Sequence, residues 1–81
     1  MESKEEKFIR LAESRTTNVI QKIQLLGNLS NRRNYEYSNK EVNEIFNAIE
    51  TEIKRAKKLF ELELNKKESL FKFSNRKDNN K

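Results

Sequence analysis

The chain has 81 residues, enough for one small domain, and a formal net charge of +5. Hydrophobic residues make up 33% of it and charged residues 38%, against about 45–50% and about 25% in typical soluble domains. Cysteine and histidine are both absent, which excludes disulfides, thiol nucleophiles and the commonest general base. A small chain with so little to bury and no covalent or metal support is expected to gain stability by associating with itself or with a partner.

The same composition bears on enzymatic function. The chain holds one glycine, too few for a glycine-rich loop that cradles phosphates. The carboxylates are plentiful but lie among lysines, as on a solvated helix face. We therefore expect no enzymatic activity, no cofactor and no metal site.

Apolar residues at helical spacing predict a first helix over about residues 4–26. Its predicted buried stripe consists of Phe8, Ala12, Val19, Ile23 and Leu26. Glu6 and Arg10 are four residues apart in the order that favours an ion pair. Arg15 interrupts the stripe, and two interpretations stay open. Its guanidinium either lies at the edge of a packed face or is directed at a carboxylate or phosphate of a partner.

A polar and aromatic connector is predicted over residues 27–38. Gly27, the only glycine, is predicted to end the first helix at the position where a positive φ is needed. Ser38 and Glu41 have the Ser-x-x-Glu spacing of a capping box, which predicts that a second helix begins here.

The connector side chains allow a structural and a functional interpretation. In the first, Leu29, Tyr35 and Tyr37 fill the open end of a helical hairpin. In the second, Arg32 and Arg33 bind phosphate or carboxylate groups, and Tyr35 and Tyr37 are exposed for stacking.

The second helix is predicted over about residues 39–73. Its apolar positions are Val42, Ile45, Phe46, Ile49, Ile53, Ala56, Phe60 and Leu64, with Phe71 continuing one face. The period is interpreted as close to 3.6, because Glu52 occupies a position that a strict heptad would make apolar. The predicted fold is all-α: a two-helix antiparallel hairpin over residues 1–73 that dimerises into a four-helix bundle.

The positive charge is concentrated near the end of the chain. Residues 66–81 carry six basic and two acidic side chains, whereas residues 1–65 carry twelve and eleven. Residues 74–81 are predicted to be a flexible basic tail. Besides the connector, the candidate basic contacts for a partner or a nucleic acid are Lys66, Lys67, Lys72, Arg76 and Lys77.

The run LLGNLSNRRNYEY, followed by VNEIFNAIETEI, resembles a pattern in small uncharacterised helical proteins encoded on bacterial plasmids and other mobile elements. The likeness covers roughly residues 15–60. It implies a bacterial, cytoplasmic and mobile-element origin, and it implies no activity and no site residues.

Three classes of function are compatible with the sequence. The leading interpretation is an interaction module that forms a homodimer and engages a protein partner. The alternative is a nucleic-acid accessory protein that uses the connector and the basic tail. A membrane-surface role for Leu70, Phe71 and Phe73 among lysines ranks last. The charged first ten residues do not resemble a signal peptide and no apolar run is long enough for a span, so we expect a cytoplasmic protein.

Overall fold

The computed structural model describes residues 1–69, with side chains as far as residue 66. Helix α1 spans Lys4–Gly27, a short 3-10 turn follows at Asn28–Ser30, and helix α2 spans Asn39–Ser69. Since the described residues contain two helices and no strand, the all-α prediction is confirmed. The predicted last turn of the second helix, residues 70–73, and the predicted tail, residues 74–81, lie outside the described residues.

A capping box that the sequence analysis overlooked opens α1. Ser3 Oγ accepts a hydrogen bond from the backbone N–H of Glu6 at 3.0 Å, and Ser3 N–H donates to Glu6 Oε1 at 2.9 Å. The expected pair between Glu6 and Arg10 was wrong, because the Glu6 carboxylate is used by the cap. Arg10 instead forms a two-pronged ion pair with Glu2, at 2.7 Å from Nε and 3.0 Å from Nη2.

The end of α1 also differs from the prediction. Gly27 has φ −60° and ψ −29°, which is right-handed helical geometry and not the positive φ expected for a cap. The chain continues through the 3-10 turn and becomes extended only at Asn31, with φ −70° and ψ 103°. Since the helix tightens into this turn, it has no need of a left-handed residue.

Helix α2 begins as the sequence predicts. Glu41 N–H donates to Ser38 Oγ at 3.1 Å, and Ser38 N–H donates to Glu41 Oε1 at 2.8 Å. The first helical hydrogen bond runs from Val42 N–H to the Ser38 carbonyl. The predicted capping box is therefore confirmed, together with the start of the second helix.

The chain divides into two units that meet between Tyr37 and Ser38, one holding α1 with the connector and the other holding α2. In neither unit is any described side chain buried. The α1 stripe, which the sequence predicts to be buried, is half-buried at Ala12 and Leu26 and exposed at Phe8, Val19 and Ile23. Helices of this kind have an apolar face and no core of their own. The antiparallel hairpin and the dimer stay predictions.

Candidate interaction surfaces

The connector is held in one conformation by Asn31. Its carbonyl oxygen accepts hydrogen bonds from the backbone N–H groups of Asn34 at 3.1 Å and Tyr35 at 3.0 Å. Its side-chain Oδ1 accepts a third hydrogen bond, from Arg33 N–H at 2.9 Å. Asparagine is favoured at such positions because its short amide can bond to backbone two residues further on. A single residue therefore organises the turn that carries both connector arginines.

Tyr37 provides the second constraint on the connector. Its hydroxyl donates to the carbonyl oxygen of Ser30 at 2.7 Å, which closes the segment between the 3-10 turn and the start of α2. The guanidinium carbon of Arg32 lies 4.6 Å from the centre of the Tyr37 ring, within the range of a cation–π interaction. Tyr37 is half-buried as a result, whereas Leu29 and Tyr35 are exposed.

Three of the predicted contact residues are thus brought together on one turn: Arg32, Arg33 and Tyr35. The guanidinium of Arg32 is stacked on an aromatic ring, and the backbone of Arg33 is fixed by Asn31. Tyr35 is 47% exposed. We call these three residues the connector cluster.

The other predicted contact residues are not part of this cluster. Arg15 is exposed in the middle of α1, and it forms no ion pair among the side chains in the described part of the chain. Lys66 Nζ lies 3.5 Å from Glu63 Oε2, and both side chains are exposed. The backbone of Lys67 belongs to α2. Lys72, Arg76 and Lys77 lie outside the described residues.

The ion pair before α1 has a clear electrostatic consequence. The hydrogen bonds that Arg10 donates lower the pKa of the Glu2 carboxyl below its ordinary value. The same contact raises the pKa of Arg10. The pair is exposed to solvent, so it contributes little to stability.

The larger surface is apolar and runs along α2. Four side chains on its stripe are exposed in the single chain: Ile45, Phe46, Ile53 and Phe60. Val42 and Ile49 are half-buried. This surface was visible in the sequence as periodicity, whereas the hydrogen bonds that fix the connector were not.

The cap of α1 at Ser3 was missed, although the sequence contains a signal for it. That signal is the same Ser-x-x-Glu spacing that identified the cap at Ser38.

Two kinds of site are not found among residues 1–69. These residues contain no group of three or more acidic side chains placed to bind a metal ion. Neither α1 nor the described part of α2 combines the length and the apolar character of a membrane-crossing helix.

Comparison with known proteins gives no relationship to build on, since no family model, curated protein or solved structure matches the chain. The connector cluster and the apolar stripes are therefore the features of the molecule that bear on its function.

Proposed function

We propose that this protein is a non-enzymatic helical interaction module that self-associates as a homodimer and binds a protein partner. The observation that carries the proposal is the exposure of both apolar stripes in a chain that buries no described side chain. The likeness of residues 15–60 to mobile-element proteins supports a bacterial cytoplasmic setting, as an accessory protein of such an element.

The energetics favour a partner for these helices. A helix is stabilised in proteins mainly by packing of its apolar face, and isolated helices are marginal in water. Fully covering one Ile or Phe side chain contributes about 1.5–3 kcal/mol, while a whole domain is stable by only about 5–15 kcal/mol. Covering the stripe of α2 alone would therefore supply a free energy comparable with that of folding. A second copy offers matching stripes, and the simplest assembly is a four-helix bundle built from two antiparallel hairpins.

A pair of substitutions in α2 tests self-association. Ile53 and Leu62 are 48% and 54% exposed, so the two side chains are exposed to a similar extent in the single chain. They lie nine residues apart, which at 3.6 residues per turn puts them on opposite sides of the helix. Ile53→Gln removes an apolar side chain from the stripe, and Leu62→Gln is the matched control on the other side.

Self-association predicts different results for the two variants. The dimer dissociation constant, measured by sedimentation equilibrium, should rise at least about a hundredfold for Ile53→Gln, because each dimer loses two copies of the side chain. It should change little for Leu62→Gln. Equal effects of the two substitutions would show that the stripe is not the associating surface, and a monomeric parent protein would refute self-association itself.

A second candidate function is nucleic-acid binding, and the connector cluster favours it. Two arginines and an exposed tyrosine are held on one ordered turn, a combination that suits phosphate contact and base stacking. The basic end of the chain would add further phosphate contacts.

Titration of labelled single-stranded and duplex DNA at several salt concentrations tests this candidate. Replacing Arg32 or Arg33 with Gln should remove one phosphate interaction and flatten the slope of log K against log salt by about 0.7–0.9. Tyr35→Ala should weaken single-strand binding and leave the slope unchanged, because stacking releases few ions. Tight binding at about 0.15 M salt would favour this function over the interaction module. Binding that disappears there, with unchanged slopes in the variants, would exclude it.

A further inference from the structure

Both helices carry a second and stricter apolar pattern inside the stripes described above. Because α1 and α2 are continuous, residues at alternating steps of three and four form one line along each helix that drifts by only about 20° per heptad. We define the α1 seam as Ile9, Ala12, Thr16, Val19, Ile23 and Leu26. We define the α2 seam as Val42, Phe46, Ile49, Ile53, Ala56 and Phe60.

The two seams match in length and share the heptad spacing of a coiled coil. Each has six positions and extends about 26 Å along its helix. This register differs from the one that puts Glu52 at an apolar position: Glu52 here lies beside the α2 seam, and the heptad spacing is uninterrupted from Val42 to Phe60. Neither seam is buried in the single chain. We therefore ask which helix of a second copy could cover each seam.

The charges beside the seams determine which helices can pair. In heptad notation Glu13, Glu50 and Lys57 occupy e positions, whereas Arg15, Lys22 and Glu52 occupy g positions. Reversing one helix of a pair brings e beside e and g beside g, and such flanking charges set partner choice and orientation. An antiparallel pair of α1 with α2 therefore brings opposite charges together on both flanks.

One register satisfies the seams and the flanks at the same time. With Val19 opposite Ile53, the other facing layers of the two seams are Ala12 with Phe60, Thr16 with Ala56, Ile23 with Ile49 and Leu26 with Phe46. Small residues then face large ones in the layer at Ala12, and none of these five layers contains a charge. In this register Glu52 lies beside Lys22, in the gap between the layers of Val19 and Ile23, and Lys57 lies beside Glu13. The other flanking charges, Arg15 and Glu50, lie beside Leu59 and Ile20.

The other pairings of these helices are less favourable. Two antiparallel copies of α1 would place Arg15 beside Arg15 and Lys22 of the other copy. Two antiparallel copies of α2 would place Glu52 beside Glu52. A parallel pair of α2 helices would join Glu52 to Lys57 but would leave the α1 seam uncovered. Like charges at such positions are destabilising.

We propose that α1 of one copy packs antiparallel against α2 of a second copy, with Lys22 facing Glu52 and Glu13 facing Lys57. This inference rests on the proposed self-association and names the pairing within it. The two-fold symmetry of a homodimer repeats the contact, so five of the six positions in each seam are covered in both copies, all but Ile9 and Val42. Glu52 exchanges an exposed contact with Arg55, three residues along its own helix, for an interchain pair with Lys22.

Charge-reversed variants test the pairing in trans. Lys22→Glu and Glu52→Arg should each weaken the dimer about tenfold, measured by sedimentation equilibrium at low ionic strength, where such pairs are least screened. Mixing the two variants should restore wild-type affinity, because one of the two contacts becomes Glu against Arg and the other is the native pair. Lys58→Glu, a reversal on the side of α2 away from the seam, is the control and should leave affinity nearly unchanged.

Each other result contradicts the proposal. If the mixture stays dissociated while a chain carrying both Lys22→Glu and Glu52→Arg dimerises normally, the pair forms within one chain. If Lys22→Glu dimerises as well as the wild type, self-association stands but uses other faces. A wild-type chain that stays monomeric at all concentrations refutes the self-association as well as the pairing.

Discussion

Substituting Gly27 with alanine separates two accounts of how α1 ends. The sequence predicts a left-handed glycine, for which an added Cβ would be strained by roughly 1–2 kcal/mol. The structure places Gly27 at φ −60° and ψ −29°, and an added Cβ would meet no atom within 4 Å. Alanine is therefore expected to fit without strain and to restrict the unfolded chain.

The expected gain in the free energy of unfolding is about 0.5–1 kcal/mol, the usual difference between glycine and alanine in a helix. For a domain of this size that corresponds to a rise of about 2–8 °C in the melting temperature. Circular dichroism melts at one fixed protein concentration would measure it. Gly27→Asn is the matched control, because asparagine tolerates left-handed geometry better than alanine but is the poorer helix former. An asparagine variant more stable than the alanine variant would refute the helical geometry of Gly27.

Three smaller predictions follow from the contacts at the helix ends and in the connector. Ser38→Ala should lower the free energy of unfolding by about 1 kcal/mol, and Glu41→Ala should add little on top, because both residues serve one capping box; no measurable change in denaturant melts of both would show that α2 begins elsewhere. Arg10→Gln should raise the NMR-measured pKa of Glu2 towards its ordinary value, and an unchanged Glu2 titration would refute the ion pair. In the parent protein, the stabilisation that this lowered pKa provides should be fully present above the pKa of Glu2 in the unfolded chain. It should be lost as the pH falls through the pKa of Glu2 in the folded protein. Tyr37→Phe should lower the free energy of unfolding by about 0.5–1.5 kcal/mol, because it removes the hydrogen bond to the Ser30 carbonyl in the 3-10 turn. A variant as stable as the parent protein would contradict that hydrogen bond.

The two helices could be predicted because their signals are local. The period of the apolar residues identified both segments as helices, and the Ser-x-x-Glu spacing at Ser38 predicted where α2 begins. The end of α1 was missed because a lone glycine after an apolar run is equally compatible with a left-handed cap and with a last helical residue. The pairing of Arg10 was missed for another reason: Glu6 satisfies either an arginine or a cap, and spacing alone does not decide between them.

The candidate surfaces were predictable in part. The sequence identified Arg32, Arg33 and Tyr35 as a group, since they lie in one short polar segment. The stacking of Arg32 on Tyr37 and the hydrogen bonds to Asn31 depend on the exact path of the turn. That path includes the 3-10 turn, which no residue pattern in the sequence predicted. The exposure of the stripes likewise depends on what packs against them, which periodicity does not specify.

If these helices require a second copy, both the mass and the helix content of the full chain depend on its concentration. Sedimentation equilibrium and circular dichroism at 222 nm would be recorded on the full chain from nanomolar to high micromolar concentration. We expect twice the mass of one chain at the high end, with mass and helix content falling together on dilution. A monomer that keeps its full helix content and unfolds cooperatively at every concentration would contradict it.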